Sequence, residues 1–169
     1  MALLTYAEVR PWAQAIKEEV HERRMPPWGA MKGFGEFAGD NSLTAEEIHL
    51  LADWVEGGAP EGDAQYLPPV PPLRAAGKRT QAGTKGMFSD GQRLTSAFRL
   101  ASIAPPKGLE EGASFQAVAV LQGGETVPLL WLYNFRPKLA RTFQYVQPVR
   151  LPAGAVIKIR GAGKVRVWH

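Results

Sequence analysis

The sequence predicts an α+β chain in two parts: a small all-α module over residues 1–66, a linker over 67–84 and an all-β sandwich over 85–169. Three observations carry this prediction. Apolar residues recur with a period near 3.6 in the first part, and from about residue 86 the period becomes strand-like. The stretch LPPVPPLRAAGKRTQAGT, residues 67–84, is rich in Pro and then in Ala, Gly and cations, the composition of a semi-stiff linker. The charge reverses across that linker. Residues 1–66 carry 5 Lys+Arg against 12 Asp+Glu, a net −7, whereas residues 67–169 carry 15 against 4, a net +11. The two halves are therefore expected to attract each other, or the basic half to meet an external anion.

The first helix is predicted to start at Thr5-Tyr6-Ala7-Glu8, a capping-box pattern in which the threonine hydroxyl takes the N3 amide and the glutamate reaches back to the cap. Val9, Trp12, Ala13, Ile16 and Val20 form its apolar stripe. Pro11 lacks an amide hydrogen and is expected to kink or restart this helix, and Arg23, Arg24 and Pro26-Pro27 close it. A Gly/Phe loop over 29–40 offers Phe34 and Phe37 as plugs. Thr44-Ala45-Glu46-Glu47 repeats the capping box, with Ile48, Leu51, Trp54 and Val55 as the next stripe and Gly57-Gly58 as its stop.

In the second part, strands are predicted near 93–102, 114–121, 126–135, 141–148, 154–160 and 164–168, separated by Gly- and Pro-containing turns. Short strands at this spacing suggest a sandwich or small barrel. Trp131, Tyr133 and Phe135 alternate along one of these strands and so share a face. The pattern is read as a central strand buried on both sides, in preference to a stacking platform for sugars or bases.

The bulk numbers exclude several classes. With 45% hydrophobic and 21% charged residues the chain can pack a core, and without cysteine no disulfide framework or thiol nucleophile is available. No apolar run approaches the roughly 20 residues of a membrane span. The start MALLTYAEVR lacks the basic and apolar regions of a secretion signal, so the chain as written is expected to stay where it is made. No G-x-S-x-G or H-E-x-x-H occurs, Gly33-Phe34-Gly35 and Gly161-Ala162-Gly163 read as turns, and the neighbours Glu46-Glu47 and Glu110-Glu111 point apart. No catalytic arrangement can be assembled. His21 and His49 lie among charged neighbours and read as solvated.

The oddest feature is the C-terminal end. A three-residue turn at 161–163 would set Arg160 opposite Lys164 and Lys158 opposite Arg166, four cations on one hairpin face. Like charges directly opposite cost some tenths to about 1 kcal/mol, so an acidic partner is expected: the acidic N-terminal module of the chain itself, or an external anion.

The segments LLTYAEVRPWAQAIKEEVHERRMPPWGAMKGFGEF and LTAEEIHLLADWVEGGAPEGD together resemble the c-type cytochrome modules of bacterial extracytoplasmic proteins. The resemblance implies that Met25, in the MPPW run, corresponds to an axial haem ligand. It also implies that the C-x-x-C-H which attaches haem c would lie before Met1, so no cofactor is expected in this chain although haem c is expected in full-length relatives. The residues themselves favour a bland role for Met25, as a flexible filler between Trp28 and the helix stripe. PLLWLYNF and RTFQYVQPVRLPAGAVI more weakly resemble the β domain of ascorbate-dependent type II copper monooxygenases. That chemistry needs clustered histidines, and the second part has only His169 with Met87. The expected function is a non-catalytic remnant or partial c-type cytochrome module, acting as an interaction or structural protein related to electron transfer. The alternatives are a β-sandwich binding module for an anionic polymer or surface, and a haem c electron-transfer protein if the gene extends upstream to C-x-x-C-H. Relatives implied by the resemblance are periplasmic; the sequence itself carries no address and names no redox partner.

Overall fold

Helix signals and strand signals sort the chain into an α+β protein in which β structure dominates. The computed structural model describes residues 3–66 and 84–169, so the linker expected over 67–84 lies, Thr84 apart, outside the described residues. Two units emerge: residues 3–26 with 43–66, and residues 27–42 with 84–169.

In the helical unit both capping boxes form. Thr5 accepts the Glu8 amide and Glu8 accepts the Thr5 amide, opening α1 (Tyr6–Val9). Pro11 then tightens the chain into a 3-10 turn (Arg10–Trp12) before α2 (Ala13–His21) resumes. A 3-10 turn advances about 120° per residue where an α-helix advances about 100°, so the stripe loses register there. Ala13 and Val20 are buried as expected, but Trp12 stands 48% exposed. Thr44 and Glu47 cap α3 (Ala45–Glu56), which ends at Gly57 and at Gly58 with φ 88°. The Tyr6 hydroxyl donates to Ala59 O (2.9 Å), and Lys17 pairs with Glu56, so polar contacts help tie the two helical stretches together.

The second unit contains seven strands: β1 (Lys85–Ser89), β2 (Phe98–Ala104), β3 (Phe115–Val120), β4 (Thr126–Leu132), β5 (Phe143–Leu151), β6 (Val156–Arg160) and β7 (Lys164–Trp168). They form two antiparallel sheets, ordered β1-β7-β2-β5 and β4-β3-β6. Strict alternation places Phe115, Ala117 and Ala119 of β3, Ile157 and Ile159 of β6, and Val165 and Val167 of β7 inside. Pro128 sits on the edge strand β4, beside a register shift, where its missing donor is tolerated. The Tyr145 hydroxyl donates to Leu129 O (2.7 Å), joining the two sheets through the core.

Edge strands present unpaired backbone groups, and this unit covers β6, β4 and β5 with irregular chain. After β1, Gly91 donates to Ile157 O (2.9 Å) and Leu94 to Ala155 O (2.9 Å), which covers β6. On the other side, residues 27–42 act as a strap. Met31 donates to Trp131 O (2.8 Å) on β4, while Ala38 donates to Gln144 O (2.8 Å) and Val146 to Glu36 O (2.8 Å) on β5. Trp28, Ala30 and Phe37 enter the core, with the Phe37 ring 5.2 Å from Phe143 and 4.9 Å from Tyr145. This revises the expected extent of the helical module, 1–66, because residues 27–42 satisfy sheet edges and fill the sandwich. Phe37 is a plug as expected, but of the β core.

Candidate functional site

Alternation decides which side chains the three-stranded sheet presents outward. Gln116 of β3 lies opposite Trp131 of β4 on one side and Arg160 of β6 on the other, and Val118 lies between Pro128 and Lys158 in the same way. Trp131 to Arg160 therefore spans two strand spacings, roughly 10 Å, and Lys158 to Arg160 two residues, roughly 7 Å. Phe34 of the strap packs edge-on against Trp131, with ring centroids 4.9 Å apart, and the Tyr133 ring also meets Trp131 edge-on at 6.3 Å. The Ser114 hydroxyl accepts the Trp131 indole N–H (3.3 Å) and donates to Leu132 O (3.3 Å), which fixes the indole. Tyr133 is 58% exposed, and Lys158 and Arg160 are exposed beyond the row. Inside this unit the ion pair among described residues is Lys32–Asp40 (3.2 Å), so the cations of β6 face solvent without an ion pair, although the Asp90 carboxylate accepts the Ile159 amide between them (2.8 Å).

Two expectations change here. The strand bearing Trp131 is an edge strand rather than a central one, and its aromatic face is partly open. The hairpin of four cations does not form: β6 pairs with β3, whereas β7 pairs with β1 and β2 in the other sheet. Gly161 turns that corner with φ 83°, and a Cβ there would lie 2.1 Å from Ser114 O, so the chain crosses between sheets where a hairpin would fold back. Lys158 and Arg160 thus share one face with Trp131, while Lys164 and Arg166 face outward from the other sheet. Lys164 lies opposite Ser89, and Arg166 lies between Met87 and Ala104. The like-charge pair that does occur is Arg99 opposite Arg150, a cross-strand match that only the β2–β5 register reveals.

Arg166 meets a different environment from the other three. It is half-buried, donates from Nη2 to Pro105 O (3.3 Å), and its buried Nε has no partner among the described residues. An unsatisfied buried donor costs about 1–3 kcal/mol. Arg166 lines a cleft of about 390 Å³ between the loops that follow β2 and β4. Arg141 lines it too, with its guanidinium 5.1 Å from the centre of the Trp28 ring and Nη2 donating to Pro27 O (3.3 Å). Nothing in the local sequence Leu139-Ala140-Arg141-Thr142 signals this role; it depends on the strap bringing Trp28 alongside.

Met25 is 49% exposed, and its amide donates to Glu19 O (3.0 Å). His21 and His49 are exposed, as expected for solvated side chains. Among the described residues no three His, Cys, Asp or Glu side chains come together to hold a metal ion, and no helix is long and apolar enough to cross a membrane. No protein-family model, curated protein or solved structure matches this chain.

Proposed function

We propose that this chain is a non-catalytic binding module whose β unit takes an anionic polymer across the outer face of β4-β3-β6. The observation that carries the reading is the row in which Lys158 and Arg160, without ion-pair partners among the described residues of the unit, share a face with Trp131 and Tyr133. Cations on a strand edge neutralise phosphates or carboxylates, and aromatic rings a short step away stack on flat bases or sugars. In this reading the helical unit is a haem-free relative of c-type cytochrome modules and serves as a structural companion, with Met25 binding no cofactor.

The test is retention of the full chain by two immobilised anions, polygalacturonate and oligothymidylate, at low and moderate salt. Each aromatic stacking contact is worth about 1–3 kcal/mol, so W131A should weaken binding by roughly tenfold or more. The double variant K158E/R160E should abolish retention at an unchanged melting temperature, and the polymer that elutes later names the class. Equal retention of parent and variants would overturn the reading. A lower melting temperature of K158E/R160E without loss of retention would favour an internal acidic partner.

A further inference from the structure

We propose that the cleft beside β7 is a binding site for a small organic carboxylate with an apolar body. The inference is independent of the polymer-binding face, which lies on the other sheet and shares no residue with it. The volume of about 390 Å³ falls in the range of small-molecule sites, roughly 300–1,000 Å³. Its walls are polar and apolar in about equal measure: Ala104, Pro105, Leu109, Phe135 and Pro137 supply apolar surface, and the polar side chains among its lining are Arg141, Thr142 and Arg166. Among the described residues no carboxylate lines it, so both guanidinium groups bring charge without a counter-charge there.

Each arginine is held by one carbonyl; Arg141 is exposed and can offer its remaining donors, whereas the unpartnered Nε of Arg166 is shut off from solvent and leaves Nη1 as that residue's remaining donor group. Arg141 lies over Trp28 and gives Nη2 to Pro27 O, and Arg166 gives Nη2 to Pro105 O while its Nε stays unpartnered. A guanidinium is a planar fork that matches a carboxylate with two parallel hydrogen bonds, and holding the fork beforehand removes part of the entropic cost of binding. The apolar part of the wall decides the rest of the ligand. A bare inorganic anion would lose water against proline and phenylalanine with nothing gained there, whereas an alkyl or aryl body would cover them.

Titrating the isotopically labelled full chain with hexanoate, hexan-1-ol and inorganic phosphate separates the two halves of the requirement. Hexanoate should shift the amides of Leu109, Ala140 and Thr142 saturably, and the alcohol and phosphate should bind at least tenfold more weakly. R141Q should weaken hexanoate at least tenfold. R166K, which keeps the charge and loses the fork, should weaken it several-fold, and K158E/R160E should leave it unchanged. Shifts outside the cleft, phosphate as tight as hexanoate, or R141Q binding like the parent would each overturn the assignment. R141Q changes an exposed side chain, so a folding failure at Arg166 leaves the test intact.

Discussion

The two units of this chain are stabilised in different ways. In the β unit Phe115, Phe143, Leu100, Leu130 and Ile157 are among the large side chains buried completely or nearly so. The helical unit, among its described residues, buries Ala13, Val20 and Ala59, and α3 buries none of its residues. Leu4, Trp12 and Leu50 stay exposed there. Helices satisfy their backbone within a few residues, so capping boxes and short polar ties suffice to order them locally. Strands find partners only at a distance, and the apolar surface they bury supplies the compensation.

The largest expected effect tests that contrast directly. Phe115→Ala should cost about 3–5 kcal/mol in urea denaturation, the range for emptying an aromatic site in a packed core. Val20→Ala, the deepest aliphatic truncation open in the helical unit, removes two methyl equivalents and should cost about 1.5 kcal/mol. Comparable costs would show that the helical unit has a core of similar weight, and the contrast would fail.

Next in size is a comparison of two glycines in the left-handed region. Gly161 has φ 83° with Ser114 O 2.1 Å from an added Cβ, whereas Gly58, φ 88°, has nothing within 4 Å. Alanine at Gly58 should cost only the backbone penalty of about 1–2 kcal/mol. At Gly161 the clash adds about 1–3 kcal/mol more, because backbone rather than a flexible side chain must give way. Thermal melts of G58A and G161A should therefore differ clearly; equal melting temperatures would mean that the corner between the sheets is soft.

Where the pattern is local, it can be read from sequence. Both capping boxes, the outward direction of Lys158 and Arg160, and the extents of β3, β6 and β7 follow from periods of 3.6 or 2 written in neighbouring residues. β1 escapes such a reading because Lys85-Gly86-Met87-Phe88-Ser89 directs only one large apolar side chain, Phe88, into the core. The strap escapes it for a related reason. Trp28, Ala30 and Phe37 serve two different sheet edges and therefore show no common period. Gly-Ala-Gly at 161–163 fits a hairpin and a corner equally well as sequence, and the close approach to Ser114 that decides between them lies some fifty residues away in the chain. The cleft arginines need the same kind of distant information, since Arg141 is positioned by Trp28 and Pro27.

The smallest expected effect is a pH dependence of the strap. Asp40 accepts the Ser42 amide (2.8 Å) and hydroxyl (2.6 Å) and pairs with Lys32 (3.2 Å). Burial by itself would raise its pKa, but the Ser42 hydroxyl and amide, and then Lys32, outweigh it and hold the carboxyl below its ordinary value. A carboxyl depressed in the folded state contributes stability that is fully present above the unfolded value of about 3.9 and is lost as pH falls through the folded value. Protection of the Ala38 and Val146 amides, which bond the strap to β5, should therefore fall as the solution is acidified from pH 5 to pH 3, once intrinsic exchange rates are divided out. Asp40→Asn should show lower protection at pH 6 and little further change on acidification. If parent and variant lose protection along the same curve, the acid response comes from another carboxylate and Asp40 does not hold the strap.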